Sequence, residues 1–321
     1  MAYPPGGSVV TQIEVQRERR FAGSQARSIP LVYVGQHVQA DQPVIRLATN
    51  AGADQAVEAV EAAEAAAPVA PVVVPSGLRG EVIETTSRGG VVIKTRAALL
   101  TGSLGAGLQT AGVLSMWQPV HTRPLPLPPG AILVIPGPVS FALLRQAAAS
   151  GVVGIVASSV ELRDLEGFLG LDIFDLLNCI DVDKAQSRLP SMTLLFTEGC
   201  GALPMPDATI KLLSRYQGSI ALISGVTSLR YALRPELVIS LPDEEARLNW
   251  HPQPLDDDLR PGFPVRVCCG THVGVTGVIE HYFVHQQTFL SGVQGQAVRL
   301  RLADGTSLIV PIMNCDVRPL A

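Results

Sequence analysis

The sequence predicts a multidomain chain of mixed class, α/β plus all-β, in three parts: a split β barrel-sandwich over 1–120, a central, mainly parallel α/β sheet over 131–242, and a small C-terminal β barrel over 259–321. Three observations carry this. Short alternating β runs on either side of an Ala- and Pro-rich tract mark the first part. Continuous apolar runs that alternate with segments of helical period mark the second. Alternating runs punctuated by glycine mark the third, because glycine lets a small twisted barrel turn its corners. A proline-rich connector at 121–130 and an acidic linker at 243–258 separate the parts.

The segment Ile29 to Leu47 alternates apolar and polar residues, with turns at Gly35 and between Asp41 and Pro43. Residues 50–75 interrupt it with alanines, isolated acids and three prolines, a composition suited to a flexible or weakly helical linker. The β pattern returns from Val72 and again after Arg88-Gly-Gly90. Five prolines between Trp117 and Gly130 predict an extended connector. Beyond it, Ala131–Ile135 is a short buried strand, and Pro138 opens a helix with Phe141, Leu144 and Ala148 at helical spacing until Gly151. Val152–Val156 gives the next strand. Ser158 and Glu161 stand in capping-box spacing ahead of Leu162, Leu165 and Leu169, and Gly170 ends that helix. A strand at Met192–Phe196, a helix from Pro206 to Tyr216 and apolar runs at Ile220–Ile223 and Leu237–Leu241 complete the layer.

These patterns resemble known families at three levels. The two β runs around the tract resemble the halves of a biotinyl/lipoyl-type domain, also called a barrel-sandwich hybrid. Lys94, the only lysine of that region, follows Ile93 inside a strand and lacks the exposed-hairpin context of a carrier lysine, so the resemblance implies the barrel without the modification. In Arg260-Pro-Gly-Phe-Pro-Val-Arg-Val-Cys-Cys-Gly-Thr-His-Val-Gly-Val-Thr-Gly-Val-Ile279, the spacing of Gly262, Gly270, Gly274 and Gly277 resembles a KOW motif. That resemblance implies an SH3-like barrel that contacts RNA or other proteins. As a whole, with Gly151–Val156, Asp164–Gly170, Thr197–Gly201 and Arg234–Val238, the chain resembles an uncharacterised Chloroflexi-type bacterial family, which implies an architecture and no activity.

Composition narrows the function. The net charge is -4 and the only lysines are Lys94, Lys184 and Lys211, so there is no general case for binding a polyanion. The opening residues lack the pattern of a secretory signal and no apolar run reaches the ~18 residues that span a bilayer, so a cytoplasmic protein is expected. Cys179, Cys200, Cys268, Cys269 and Cys315 include no Cys-x-x-Cys pair, and free thiols without metal are expected. Asp172, Asp175, Asp181 and Asp183 fail the spacing of a calcium loop and read as a solvated connector. His281 and His285 read as one face of an exposed strand. No histidine falls between Ala131 and Leu241, which leaves Cys200 without a base in that layer.

In an open parallel sheet ligands gather beyond the carboxyl ends of the strands. There the candidate ligand-binding residues are Ser158, Glu198, Gly199, Gly201, Ser224, Thr227 and Arg230, with glycines that let a backbone approach a phosphate. Arg266, Arg299 and Arg301 are the candidate RNA- or partner-binding residues. No catalytic residue, cofactor or metal is assigned. The leading expectation is a non-enzymatic cytoplasmic scaffold or adaptor whose β modules dock protein partners. The competing ones are an enzyme or sensor for a nucleotide or phosphorylated metabolite at the sheet's carboxyl edge, and a KOW-type RNA or ribosome associate.

Overall fold

A computed structural model describes residues 8–21, 26–49, 72–117, 127–231, 233–248, 250–252, 261–267, 270–290, 292 and 294–317. Much of the Ala/Pro-rich tract, of the proline-rich connector and of the acidic linker lies outside them, as do Cys268 and Cys269.

The chain opens with β1 (Ser8–Arg19), a twelve-residue strand whose inward positions Ile13 and Val15 are buried. Then come β2 (Ala26–Pro30), β3 (His37–Val38), β4 (Pro43–Thr49), β5 (Val73–Pro75), β6 (Gly80–Thr85) and β7 (Val91–Thr101). β2, β4 and β5 form a three-stranded antiparallel sheet. β8 (Leu104–Ala106), β9 (Thr110–Met116) and β10 (Ala131–Ile135) lead to α1 (Phe141–Ala149), followed by β11 (Gly154–Val160) and α2 (Leu162–Leu169). Next are α3 (Ile173–Asn178), α4 (Val182–Gln186), β12 (Thr193–Cys200), α5 (Asp207–Arg215), β13 (Ile220–Ser224), β14 (Glu236–Ser240) and α6 (Asp243–Leu248).

The main sheet has eleven strands in the order β3-β6-β7-β14-β13-β9-β10-β11-β12-β8, with β1 also paired to β7. It is mixed, which corrects the expectation of a mainly parallel sheet: β9, β10, β11 and β12 are parallel, and the strands around them are antiparallel. The physical reason lies between Ser224 and Glu236, where no helical crossover intervenes, so β13 and β14 return on one another. The sheet also crosses the boundary expected near residue 121, since β7 and β9 pair with β14, β13 and β10.

Chain connectivity requires this sheet to curl. β7 and β12 are six strand spacings apart, about 29 Å if flat. Yet β7 continues through Gly102 and Ser103 into β8, which pairs with β12, and that link spans at most about 11 Å. Glycine makes the closure fit: a Cβ at Gly102 would meet the Phe196 carbonyl oxygen at 2.9 Å.

Helices cap where the chemistry of their first residues allows. Ser140 and Asp172 accept from the backbone N–H groups of Leu143 and Phe174, and Asp181 from that of Lys184. Two of the clustered aspartates are thus helix caps, and α3 buries Ile173, Leu176 and Leu177 where a connector was expected. The Ser158–Glu161 capping box does not form, because Ser158 and Ser159 belong to β11 and α2 begins at its Glu161 cap. Gly170 closes α2 in the left-handed conformation that glycine adopts without penalty.

On one face of the sheet, α5 packs Leu212 and Leu213 against Ile132, Val134, Val156 and Ala221. Two separate layers share the other face. The helices α1, α2 and α3 cover Leu133, Ile155 and Leu194, while the N-terminal β layer covers Leu222 and Val238. Between these layers β9 is left partly bare: Ala111 and Ser115 are half-buried and Val113 is 43% exposed.

After α6 the chain forms β15 (Pro264–Val267), β16 (Thr276–Tyr282), β17 (Gln287–Thr288), β18 (Gln294–Gly295), β19 (Ala297–Leu302), β20 (Ser307–Pro311) and β21 (Cys315–Val317), with a 3-10 turn at Ile312–Asn314. Five of these strands make an antiparallel sheet in the order β20-β19-β16-β15-β21. It has its own core of Val265, Val267, Ile279, Val298, Leu300, Val310 and Cys315. No helix among the described residues is long and apolar enough to cross a membrane.

Candidate functional site

The seam along β9 opens at one end into a cleft of about 600 Å³. Five parts of the chain meet there: the end of β1, β5, the loop from β8 to β9, α4 with the residues after it, and the end of β13 with the loop beyond it. Strand alternation explains the unusual floor. Ile13 and Val15 set the inward parity of β1, and the next two positions on that side are Arg17 and Arg19. Arg17 meets Glu236 through two short bonds, Nε to Oε1 at 2.6 Å and Nη2 to Oε2 at 2.7 Å. Arg19 lies deeper, 2% exposed, and meets no carboxylate among the described residues.

Neutral acceptors hold the Arg19 guanidinium. Its Nε and Nη2 donate to the Pro75 carbonyl at 3.1 and 3.0 Å, and Nη1 donates to Gln109 Oε1 at 2.7 Å. Three of its five N–H groups are so engaged, leaving one on each η nitrogen. Burial without a counter-charge pushes its pKa down to about 10, and the group remains a cation at neutral pH. An uncompensated buried charge is costly, so this cleft carries an electrostatic demand that the protein leaves unmet.

Gln186 adds a second unmet group. It is 1% exposed, its Oε1 accepts from the Gly107 N–H at 2.7 Å, and its buried Nε2 has no acceptor among the described residues. A Cβ at Gly107 would come within 2.9 Å of Thr193 Cα, so a bare backbone is required where Gln186 docks. At the rim, Arg20 pairs with Asp183 at 2.7 Å with both side chains nearly half exposed. Glu18 accepts from Thr86 Oγ1 at 2.9 Å.

The carboxyl edge of the parallel strands is built differently. Glu198, near the end of β12, meets Arg266 of β15 at 2.6 Å, with side-chain exposures of 3% and 8%. A candidate ligand residue and a candidate RNA-binding residue therefore engage each other. Ser158 is buried beside Ser159, and Thr227 donates to the Gly105 and Gly225 carbonyls. Gly199 and Gly201 adopt positive φ at the end of β12, one on the strand and one just past it, whereas α5 starts at Asp207. Arg230 is exposed in the loop after β13. Of the seven expected ligand residues, Ser224 alone lines the cleft.

In the terminal sheet Arg299 lies over the Phe283 ring at 5.6 Å and Arg301 is exposed. His281 ends up near the end of β16 and His285 beyond it, so the two do not share a strand. Among the described residues no three metal-ligating side chains come together, and Cys179, Cys200 and Cys315 form no disulfide. Burial, with the charges of Glu161 and Glu166, pushes the Cys200 thiol up to about 11. It is a neutral thiol at physiological pH.

Arg19 and Gln186 are not among the residues expected from the sequence. The series Ile13, Val15, Arg17, Arg19 held the signal, an arginine at a position of core parity. Gln186 sits in a segment read as solvated, and nothing in its sequence neighbourhood marks it. No protein family profile matches the chain, and no curated protein sequence is significantly similar to it.

Proposed function

We propose that this protein binds a small anionic ligand in the cleft beside β9, with Arg19 as the counter-charge. The observation that carries the reading is a guanidinium that is almost wholly buried, without a carboxylate partner, on the floor of an open cleft. Cavities of this size commonly hold small molecules, with a few polar groups fixing orientation. Ligand binding was the competing expectation. The site supported here lies at the amino-terminal end of β9, not at the carboxyl edge, where Arg266 already neutralises Glu198.

Thermal unfolding with added formate, acetate or inorganic phosphate tests this. A bound ligand stabilises by mass action, about 2.7 kcal/mol at one hundred times Kd. At least one of these anions should raise Tm saturably, and Arg19→Met should abolish the rise. A flat response to all three overturns the reading.

A second reading, an adaptor whose terminal module docks partner proteins, is favoured by the exposed apolar side chains of Val284 and Leu290 at that module's loops. The strand order and the 3-10 turn before β21 support reading the module as an SH3-like barrel. The three-stranded sheet packed over β6 and β7 supports the barrel-sandwich reading of the N-terminal part. RNA contact would fall to Arg299 and Arg301, since Arg266 is buried in its ion pair.

A further inference from the structure

We propose that the ligand of this cleft is a small monocarboxylic acid with an apolar body, an aryl or branched alkyl acid, and not a phosphorylated metabolite. The inference rests on the anion-binding reading above and narrows it by charge, shape and wall chemistry.

Charge decides first. The ionisable groups that line the cleft are Glu18, Arg19, Arg20 and Asp183. Arg20 is matched by Asp183, and Glu18 already accepts from Thr86. These four charges sum to zero, yet neither carboxylate reaches Arg19, so a single negative charge set against its guanidinium would give it the direct ionic partner it lacks. A second charge on the ligand would find no cation and would face the carboxylates of Glu18 and Asp183. No lysine lines the cleft. A dianionic phosphate ester is therefore disfavoured.

The number of donors agrees with a carboxylate. Arg19 retains one N–H on each η nitrogen, and a planar carboxylate presents two oxygens to a planar guanidinium. Gln186 Nε2 supplies a further unengaged donor at the floor.

The neutral polar residues of the wall, Gln109, Thr110, Ser187, Ser191 and Ser224, include no cation for a second phosphate charge. The rest of the wall is apolar, with Val73, Val74, Leu108, Leu189, Pro190 and Val226. These bury a ring or a branched chain, at about 25 cal/mol per Å² of apolar surface removed from water. The cleft's roughly 600 Å³ accommodates such a body.

Calorimetric titration of the full chain at neutral pH separates the classes, with benzoate, 4-methylpentanoate, acetate, phenyl phosphate, inorganic phosphate and benzamide as probes. Benzoate or 4-methylpentanoate should bind at least tenfold more tightly than acetate and than phenyl phosphate, and benzamide should not bind. Ser224→Asp, which sets a further negative charge in the cleft without replacing Arg19, should weaken the best acid at least tenfold in a protein that keeps its fold by circular dichroism. If either phosphate binds more tightly than the apolar acids, the ligand class is overturned while anion binding stands. If acetate equals benzoate, the apolar body is overturned. Binding by none of the anions removes the anion-binding reading and this inference together.

Discussion

Arg17 and Arg19 stand two residues apart on one side of β1, yet Arg17 closes a two-bond pair with Glu236 while the more deeply buried Arg19 meets only neutral acceptors. The pair that looks alike in sequence is split by depth and by partner. Replacing Arg17 with Met strands Glu236 and should cost about 1–3 kcal/mol in chemical denaturation. Replacing Arg19 with Met removes a buried charge with no carboxylate left behind, so stability should stay within about 1 kcal/mol of the parent. The reverse ranking would show that Arg19 is chiefly a structural latch.

Proton linkage gives a second check on Arg19. Its folded pKa, lowered by burial, lies at about 10, so the cation predominates below pH 9 and is lost as pH rises through 10. Carboxylate affinity should be constant between pH 6 and 9 and decline above 10. A decline already complete by pH 8 would point to another group.

The ion pair of Glu198 and Arg266 ties the terminal sheet to the main one and is nearly dry. Breaking it from one side takes a nearly dry ionic partner from the buried charge that remains, so Glu198→Gln or Arg266→Met alone should destabilise by about 3–5 kcal/mol. The double variant should recover a large part of that loss. Additive single costs in the cycle would mean the two side chains do not act as a pair.

Cys200 should be a poor nucleophile. Its folded pKa is raised from 9.0 to about 11 by burial and by Glu161 and Glu166, so the thiol form dominates below 9 and the stability linked to it is lost between 9 and 11. Alkylation by iodoacetamide, followed by mass mapping of the peptide that contains Cys200, should be slower at pH 7.5 than for free cysteine. A faster rate would contradict the burial argument.

Gly225 lies where the loop after β13 presses against β8, and a Cβ there would overlap the Ala106 carbonyl. Gly225→Ala should destabilise by about 1–3 kcal/mol or more, because backbone and not a flexible side chain must give way. A neutral effect would show that the curl of the sheet is looser than drawn.

How much was legible follows from which interactions are local. The helix from Pro206 to Tyr216 announces itself by Ile210 and Leu213 at helical spacing, and Gly170 stops α2 by its own conformational freedom. In β1 the alternation of Ile13, Val15, Arg17 and Arg19 is present in the sequence but masked by a charged run, and pairing with β7 fixes which side faces inward. The hairpin-like return of β14 on β13 and the curl that brings β8 to β12 depend on partners far along the chain, which periodicity does not encode. The site is of that kind too. Arg19, Pro75, Gln109 and Gln186 come from four separated segments, and neither the cleft nor the missing counter-charge exists until they meet.

The most direct test is a calorimetric titration of the full chain with benzoate at pH 7.5, run in parallel on Arg19→Met. Saturable heat from the native chain and none from a variant that keeps its fold is the predicted result. No heat from the native chain, or the same affinity in both, would contradict the assignment of Arg19 as the ligand's counter-charge.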